Sequence, residues 1–279
     1  MPSLSVWDIL SNPITVRAFV VGALVSLCLA VMGVILVLKR YAMIGHGLGE
    51  MGFASTALAA LIGIADYSLA ISLPLVCASS IMIMYLDHKS SMGGDVFIGI
   101  FSTTALAVGV ILGRFTGGYS VESSLFGTIY GVSDAYMLAV IALSAVIILV
   151  FALLYKRLFS ITFDETYARA CDAKAHSYQF IVSVLTSFAV VLGMRVLGAM
   201  MISSFIIFPA LTARRLSHSF KGMILLAALV ALVSFVLGML ISVFSQMGAH
   251  SLPVGACVVI VSLLLMLLSM GASAIRYKK

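Results

Sequence analysis

The residues best suited to chemistry are a histidine and a glutamate inside an apolar segment at about 43–63. His46 and Glu50 lie four positions apart in the stretch MIGHGLGEMGFAS, so on a helix they share one face. Imidazole nitrogen and carboxylate oxygen together suit divalent ions such as zinc or manganese. An ionisable side chain within a membrane costs about 3 kcal/mol at mid-helix and is usually functional. If the segment spans a membrane, the pair predicts a metal site there.

A purely structural interpretation of the same pair is also open. His46 and Glu50 can simply hydrogen-bond each other or cap a defect in the backbone. The stretch also carries four glycines, Gly45, Gly47, Gly49 and Gly52. Each lowers helix propensity by about 1 kcal/mol relative to alanine, and the first and third form a small-xxx-small pair that permits close helix approach. We therefore expect either a neighbouring helix or a substrate to come close to this backbone.

The composition indicates that lipid is the solvent. Hydrophobic residues make up 63% of the 279 positions and charged residues only 9%, whereas soluble domains carry about 25% charged residues. A single soluble core buries only about three quarters of its chain's surface, too little for this sequence. The net charge of +6 comes from short basic clusters between apolar runs. That pattern is typical of membrane orientation and argues against nucleic-acid binding.

The apolar runs predict an all-α polytopic membrane protein with eight or nine spans, forming one transmembrane domain over residues 1–279. A spanning helix needs about 20 mostly apolar residues, and lipid allows only helices or a closed barrel. The short alternating segments of a barrel are absent from the sequence. The predicted spans are 18–38, 43–63, 67–86, 96–113, 136–155, 178–196, 197–213, 222–244 and 253–273. The sixth and seventh are joined by almost no loop, which leaves the count at eight or nine.

The positive charges predict the orientation. On this topology 13 of the 16 Lys and Arg residues fall in one set of loops, and only Arg17, Arg114 and Arg195 fall on the other side. Basic residues concentrate in cytoplasmic loops. The C-terminus is therefore predicted to be cytoplasmic and, with nine spans, the N-terminus external.

The inner loop, about 156–177, predicts a short helix over residues 163–175. Thr162 or Asp164 is placed to cap its start. Phe163, Tyr167 and Ala170 form an apolar stripe at spacings of four and three. Such a short helix is marginal in water, so its stripe is expected to rest on a partner protein or on the chain's own helix ends. The sequence contains no GxxxxGK[ST] motif, so ATP hydrolysis by that machinery is not expected of this chain.

Three stretches resemble one family of membrane proteins. They are LKRYAMIGHGLGEMGFAS (38–55), FDETYARACDAKA (163–175) and LGAMMISSFIIFPALTARR (197–215), the last carrying a Pro209 expected to kink its helix and a Ser203–Ser204 pair. Together they resemble the permease family of bacterial ABC importers for manganese, zinc and iron, whose architecture is similar to that of vitamin B12-type importers. The resemblance implies a non-enzymatic permease subunit in the bacterial cytoplasmic membrane, embedded in lipid.

The resemblance also implies partners. It implies a second permease chain, expected to be another copy of this one, a cytoplasmic ABC ATPase that binds ATP, and an external metal-binding protein. No cofactor is implied, because zinc or manganese is the cargo. The stretch 163–175 resembles the coupling helix that docks into the ATPase. The residues assigned to coupling are Phe163, Asp164, Glu165, Tyr167, Arg169 and Asp172. The charges predicted to contact the binding protein, in the outer loop, are Arg114, Glu122 and Asp134.

The resemblance assigns the metal ligands with one departure. Family members carry an aspartate and a histidine where this sequence carries His46 and Glu50, so the imidazole and carboxylate appear in reversed order. Two alternatives to a metal-ion importer remain: an ABC permease for another substrate such as a metal chelate, and an ion-coupled secondary carrier in which Glu50 holds a proton or sodium ion. An intramembrane enzyme is least expected, because HExxH and paired-aspartate motifs are absent.

Overall fold

The computed structural model describes residues 13–89, 94–116, 125–127, 134–171, 175–246 and 252–277. Within them it contains α-helices and short 3-10 turns and no strand. The helices are α1 (Pro13–Leu38), α2 (Ile44–Leu61), α3 (Ser68–Lys89), α4 (Gly94–Phe115), α5 (Asp134–Phe163), α6 (Glu165–Cys171), α7 (Ala175–Leu197), α8 (Ile202–Leu216), α9 (Phe220–Gln246) and α10 (Val254–Tyr277). The all-α prediction is confirmed.

Each of the nine predicted spans corresponds to one helix in the described part of the chain. Seven of these helices are long and apolar enough to cross a membrane. The other two are α2, with 18 residues, and α8, with 15. At 1.5 Å per residue α8 is only about 22 Å long, shorter than the hydrocarbon core of a bilayer. The chain is a multi-pass membrane protein in which α8 is too short to be a full span.

The short length of α8 comes from a break that separates it from α7. Gly198 has a φ of 87°, a conformation that side chains strongly disfavour, and a 3-10 turn follows at Ala199–Met201. A Cβ atom on Gly198 would collide with the backbone of residues 125–127. The break therefore needs glycine both for its backbone angle and for the close approach of the outer loop.

The break lies deep in the helix bundle. The Ala199 carbonyl oxygen lies 2.5 Å from where a Cβ atom on Gly49 would stand. Gly49 is twelve residues from Leu61, the last residue of α2, or about 18 Å along the helix axis. The turn between α7 and α8 therefore sits well inside the bundle, beside the segment that carries His46 and Glu50.

The centre of the bundle is α1. In its apolar segment 72% of the residues of α1 are buried, against 22% in that of α5, so α1 is enclosed by the other helices while most of the surface of α5 lies on the outside of the single chain. Close contacts bring the other helices in: Gly22 faces the ring of Phe235 on α9, and Gly33 faces the carbonyl of Ile206 on α8. The absence of side chains at these two glycines allows both helices to pack tightly against α1.

The predicted inner helix is present but shorter than 163–175. Phe163 is the last residue of α5, and α6 covers Glu165–Cys171, while residues 172–174 lie outside the described part of the chain. Of the two predicted caps, Asp164 fills the role: its Oδ1 accepts a hydrogen bond of 2.8 Å from the backbone N–H of Tyr167. Thr162 instead donates to the Leu158 carbonyl oxygen of its own helix.

Candidate metal site

The structure places His46 and Glu50 on one face of α2, as their spacing predicts. The His46 Nε2 atom lies 3.4 Å from Glu50 Oε1. The two side chains differ in exposure: that of Glu50 is 3% exposed and that of His46 is 33% exposed. The imidazole is therefore the accessible member of the pair, and the carboxylate lies behind it in the protein.

A third residue, Ser102 on α4, completes the surroundings of the carboxylate. Its hydroxyl donates a hydrogen bond to Glu50 Oε2, and Ser102 is itself buried. A buried charged group needs such partners because desolvation is otherwise costly. Sequence reasoning missed Ser102. The only available signal was a cluster of hydroxyl residues, Ser102, Thr103 and Thr104, in an otherwise apolar helix.

The glycines of α2 are explained by neighbouring helices. A Cβ atom on Gly49 would meet the Ala199 backbone, and one on Gly47 would lie 3.1 Å from the Ile98 side chain on α4. Similar contacts come from Ile206 at Gly45 and from Met194 at Gly52. The close approach predicted for this backbone is therefore made by protein, and the glycines themselves provide no separate support for a substrate.

The geometry of the pair fits two ligands of one ion. Zinc–nitrogen and zinc–oxygen bonds are about 2.0–2.2 Å, so two ligands on a tetrahedral zinc lie about 3.4 Å apart. The 3.4 Å separation of His46 Nε2 and Glu50 Oε1 matches that edge. Within the described residues there is no group of three or more His, Cys, Asp or Glu that could hold a metal. If the pair binds an ion, the described residues of one chain offer these two side chains, and a four-coordinate ion would need further ligands from elsewhere.

Known proteins are similar to this chain over nearly its whole length. Residues 11–273 match the ABC 3 transport family. The chain belongs to that family. The manganese import permease ScaB of Streptococcus parasanguinis is 27% identical over 254 residues, 91% of this chain and 88% of ScaB. The zinc uptake membrane protein ZnuB of Haemophilus influenzae is 28% identical over 257 residues, 91% and 95% of the two chains. A solved structure titled PsaBC from Streptococcus pneumoniae in complex with Fab superposes with a TM-score of 0.82 at 25% identity, covering 94% and 93%.

Membership in the ABC 3 family confirms the resemblance seen in the three sequence stretches. It places the chain among membrane components of ABC transporters and favours that interpretation over an ion-coupled secondary carrier. The fold agrees, because the superposition with PsaBC extends over almost the whole chain.

In this permease the charges predicted for the outer surface do not form one described cluster. Asp134 is the first residue of α5 and forms an ion pair of 2.8 Å with Arg17 near the start of α1. Arg114 is exposed in the last turn of α4. Glu122 lies outside the described residues. The Arg17–Asp134 pair was not predicted, because the two residues are far apart in sequence.

The apolar stripe that the sequence predicts for the inner loop is exposed in the single chain. Phe163 and Tyr167 are 56% and 63% exposed, and Ala170 is exposed as well. The Phe163 ring also packs against Phe159 and Phe220, with ring centroids 4.8 and 5.9 Å away. Asp164 caps α6, the side chains of Glu165 and Arg169 are not described, and Asp172 lies outside the described residues. The stripe therefore rests partly on the permease and leaves most of its surface uncovered.

Proposed function

We propose that this ABC 3 permease imports a divalent transition metal, zinc or manganese, through a site formed by His46 and Glu50. The observation that carries the proposal is the pairing of one imidazole and one buried carboxylate at 3.4 Å on a helix inside the bundle. Its relatives include a manganese import permease and a zinc uptake membrane protein, which supports a metal cargo. The reversed order of the two ligands keeps the donor set that such ions require.

The permease works as part of a larger assembly in this proposal. Two ligands from one chain leave the coordination of the ion incomplete, which favours a second copy of the chain on the other side of a shared pathway. The exposed Phe163–Tyr167 stripe supports docking of a cytoplasmic ABC ATPase, the subunit that binds and hydrolyses ATP. An external metal-binding protein delivers the ion to the outer face, where Arg114, Glu122 and Asp134 are the contact charges.

The proposed location is the bacterial cytoplasmic membrane, with the C-terminus in the cytoplasm. The concentration of Lys and Arg in one set of loops supports this orientation. On it, α2 begins at the cytoplasmic side, and His46 lies in its first turn. The His46–Glu50 site then lies beside the buried α7–α8 break, on the inner part of the pathway.

The proposal is tested by uptake of zinc and of manganese into cells or proteoliposomes that carry the complete transporter. Glu50→Gln keeps the side-chain volume and removes the charge, and His46→Ala removes the imidazole. Both variants are expected to lose most of the uptake while the complex still assembles. Asp95→Asn, the same kind of charge removal at an exposed position in the first turn of α4, is the matched control. Normal uptake of both ions by both site variants would overturn the proposal.

A further inference from the structure

The carboxylate of Glu50 is held by a residue from a different helix. We propose that Ser102 on α4 is a positioning residue of the metal site: it occupies Oε2 of Glu50 and leaves Oε1 as the single oxygen that faces the ion. The inference rests on the proposed function of the His46–Glu50 pair. It adds a residue to that site and assigns it an effect on which ions the site accepts.

The two oxygens of Glu50 have separate partners. Oε2 accepts the hydrogen bond from the Ser102 hydroxyl, while Oε1 lies 3.4 Å from His46 Nε2. Ser102 is 4% exposed, so water cannot easily take the place of its hydroxyl. Because Oε2 is already engaged, an ion bound next to His46 meets a carboxylate with one free oxygen.

Several buried serines bond to another helix, such as Ser55 to the Ser72 hydroxyl and Ser80 to the Ser183 carbonyl oxygen, but the acceptor of the Ser102 hydroxyl is a carboxylate. Ser26 and Ser262 each donate to the backbone carbonyl four residues earlier in their own helix, at 2.6 and 2.9 Å, which is the ordinary behaviour of a helical serine. The Ser102 hydroxyl instead reaches across to α2. It donates its proton to the Glu50 carboxylate and not to a backbone carbonyl of α4, so the bond holds the carboxylate in place.

Tight packing fixes α4 at the distance this bond requires. A Cβ atom on Gly47 would lie 3.1 Å from Ile98, one helical turn before Ser102, and one on Gly109 would lie 3.1 Å from the Ala54 Cα. These contacts stand on either side of the Glu50–Ser102 bond along the two helices. Rotation or separation of α4 is therefore resisted at both ends, and the serine is held in register with the carboxylate.

A carboxylate held in this way favours ions that accept a single carboxylate oxygen. Zinc sites are typically four-coordinate with nitrogen and single oxygen donors, whereas calcium takes six to eight oxygens and often binds a carboxylate through both. Glutamate has more rotatable bonds than aspartate, so an untethered Glu50 can turn both oxygens toward an ion. Loss of the Ser102 hydroxyl should therefore weaken binding of the cargo and make the site more open to calcium.

The test uses the complete reconstituted transporter with Ser102→Ala and Ser102→Thr. Loss of a hydrogen bond to a metal ligand typically lowers metal affinity by about 10–100-fold. We expect Ser102→Ala to raise the zinc or manganese concentration for half-maximal uptake by at least about 10-fold and to make uptake more sensitive to added calcium. Ser102→Thr retains a hydroxyl and is expected to stay close to the wild type in both measurements.

The control is Ser262→Ala, which removes a buried hydroxyl that bonds only within α10. A merely structural role for Ser102 would lower thermal stability in both alanine variants without changing the calcium sensitivity of either. The inference is overturned if Ser102→Ala retains wild-type half-saturation and calcium sensitivity while Glu50→Gln abolishes uptake. If Glu50→Gln itself transports normally, the proposed function fails instead, so the two failures are distinguishable.

Discussion

The sharpest prediction concerns Tyr167, in the middle of the exposed inner stripe. Its side chain is 63% exposed in the single chain. Full burial of an aromatic side chain stabilises by about 1.5–3 kcal/mol. About two thirds of that gain is still available on docking, or about 1.5 kcal/mol. A difference of 1.4 kcal/mol is tenfold in a dissociation constant, so Tyr167→Ala is expected to weaken ATPase binding about 10-fold.

The measurement is the affinity of the purified ATPase for the permease in nanodiscs, with the thermal stability of the permease followed in parallel. Tyr85→Ala is the matched control, because Tyr85 is 59% exposed near the end of α3 and lies outside the stripe. Tyr167→Ala should weaken ATPase binding and leave the melting temperature within a few degrees of wild type. Equal ATPase affinity in the two variants would refute the assignment of the stripe as the docking surface.

Three further predictions follow from other contacts. Asp134→Lys should weaken binding of the external protein in a salt-sensitive way. Loss of its exposed ion pair with Arg17 should lower the permease's free energy of unfolding by less than about 1 kcal/mol. An unchanged affinity for the external protein at low salt would contradict this prediction. Gly49→Ala should lower the thermal stability, by about 1–3 kcal/mol of overpacking, because its Cβ would meet the Ala199 carbonyl. Gly99→Ala, with nothing within 4 Å of its Cβ, should not lower it, and equal losses would refute this reasoning. A fluorescent protein fused to the C-terminus should fluoresce and an alkaline phosphatase should be inactive there; the opposite result would reverse the topology.

Most of the fold could be predicted from the sequence because the membrane imposes a simple rule. Long apolar runs must be helices, and each predicted span corresponds to a helix of the structure. The rule leaves the count at eight or nine at the junction of the sixth and seventh predicted spans, because hydropathy continues across Gly198. Only the backbone angle of Gly198 and its contact with residues 125–127 end α7 there, and neither property can be seen in a hydropathy pattern.

The glycines of α2 predicted a close approach to this helix but not the group that makes it. Their spacing predicted a close approach but could not identify what approaches, because a substrate and a helix demand the same absence of side chains. The structure identifies the neighbours as Ile98, Met194, Ala199 and Ile206. These lie in α4, in α7, in the turn that follows α7 and in α8, so the cause lies in tertiary packing and not in any local pattern.

The role of Ser102 as the partner of Glu50 could not be predicted from the sequence. Three hydroxyl residues follow one another on α4, and successive residues on a helix point about 100° apart. Thr103 is exposed and donates to the Gly99 carbonyl oxygen, and Thr104 is exposed as well, so only Ser102 faces Glu50. Which of the three does so depends on the rotation of α4 about its own axis. That rotation is set by contacts such as Ile98 with Gly47, which join positions about fifty residues apart, so the partner of a buried carboxylate had to be found in the packed structure.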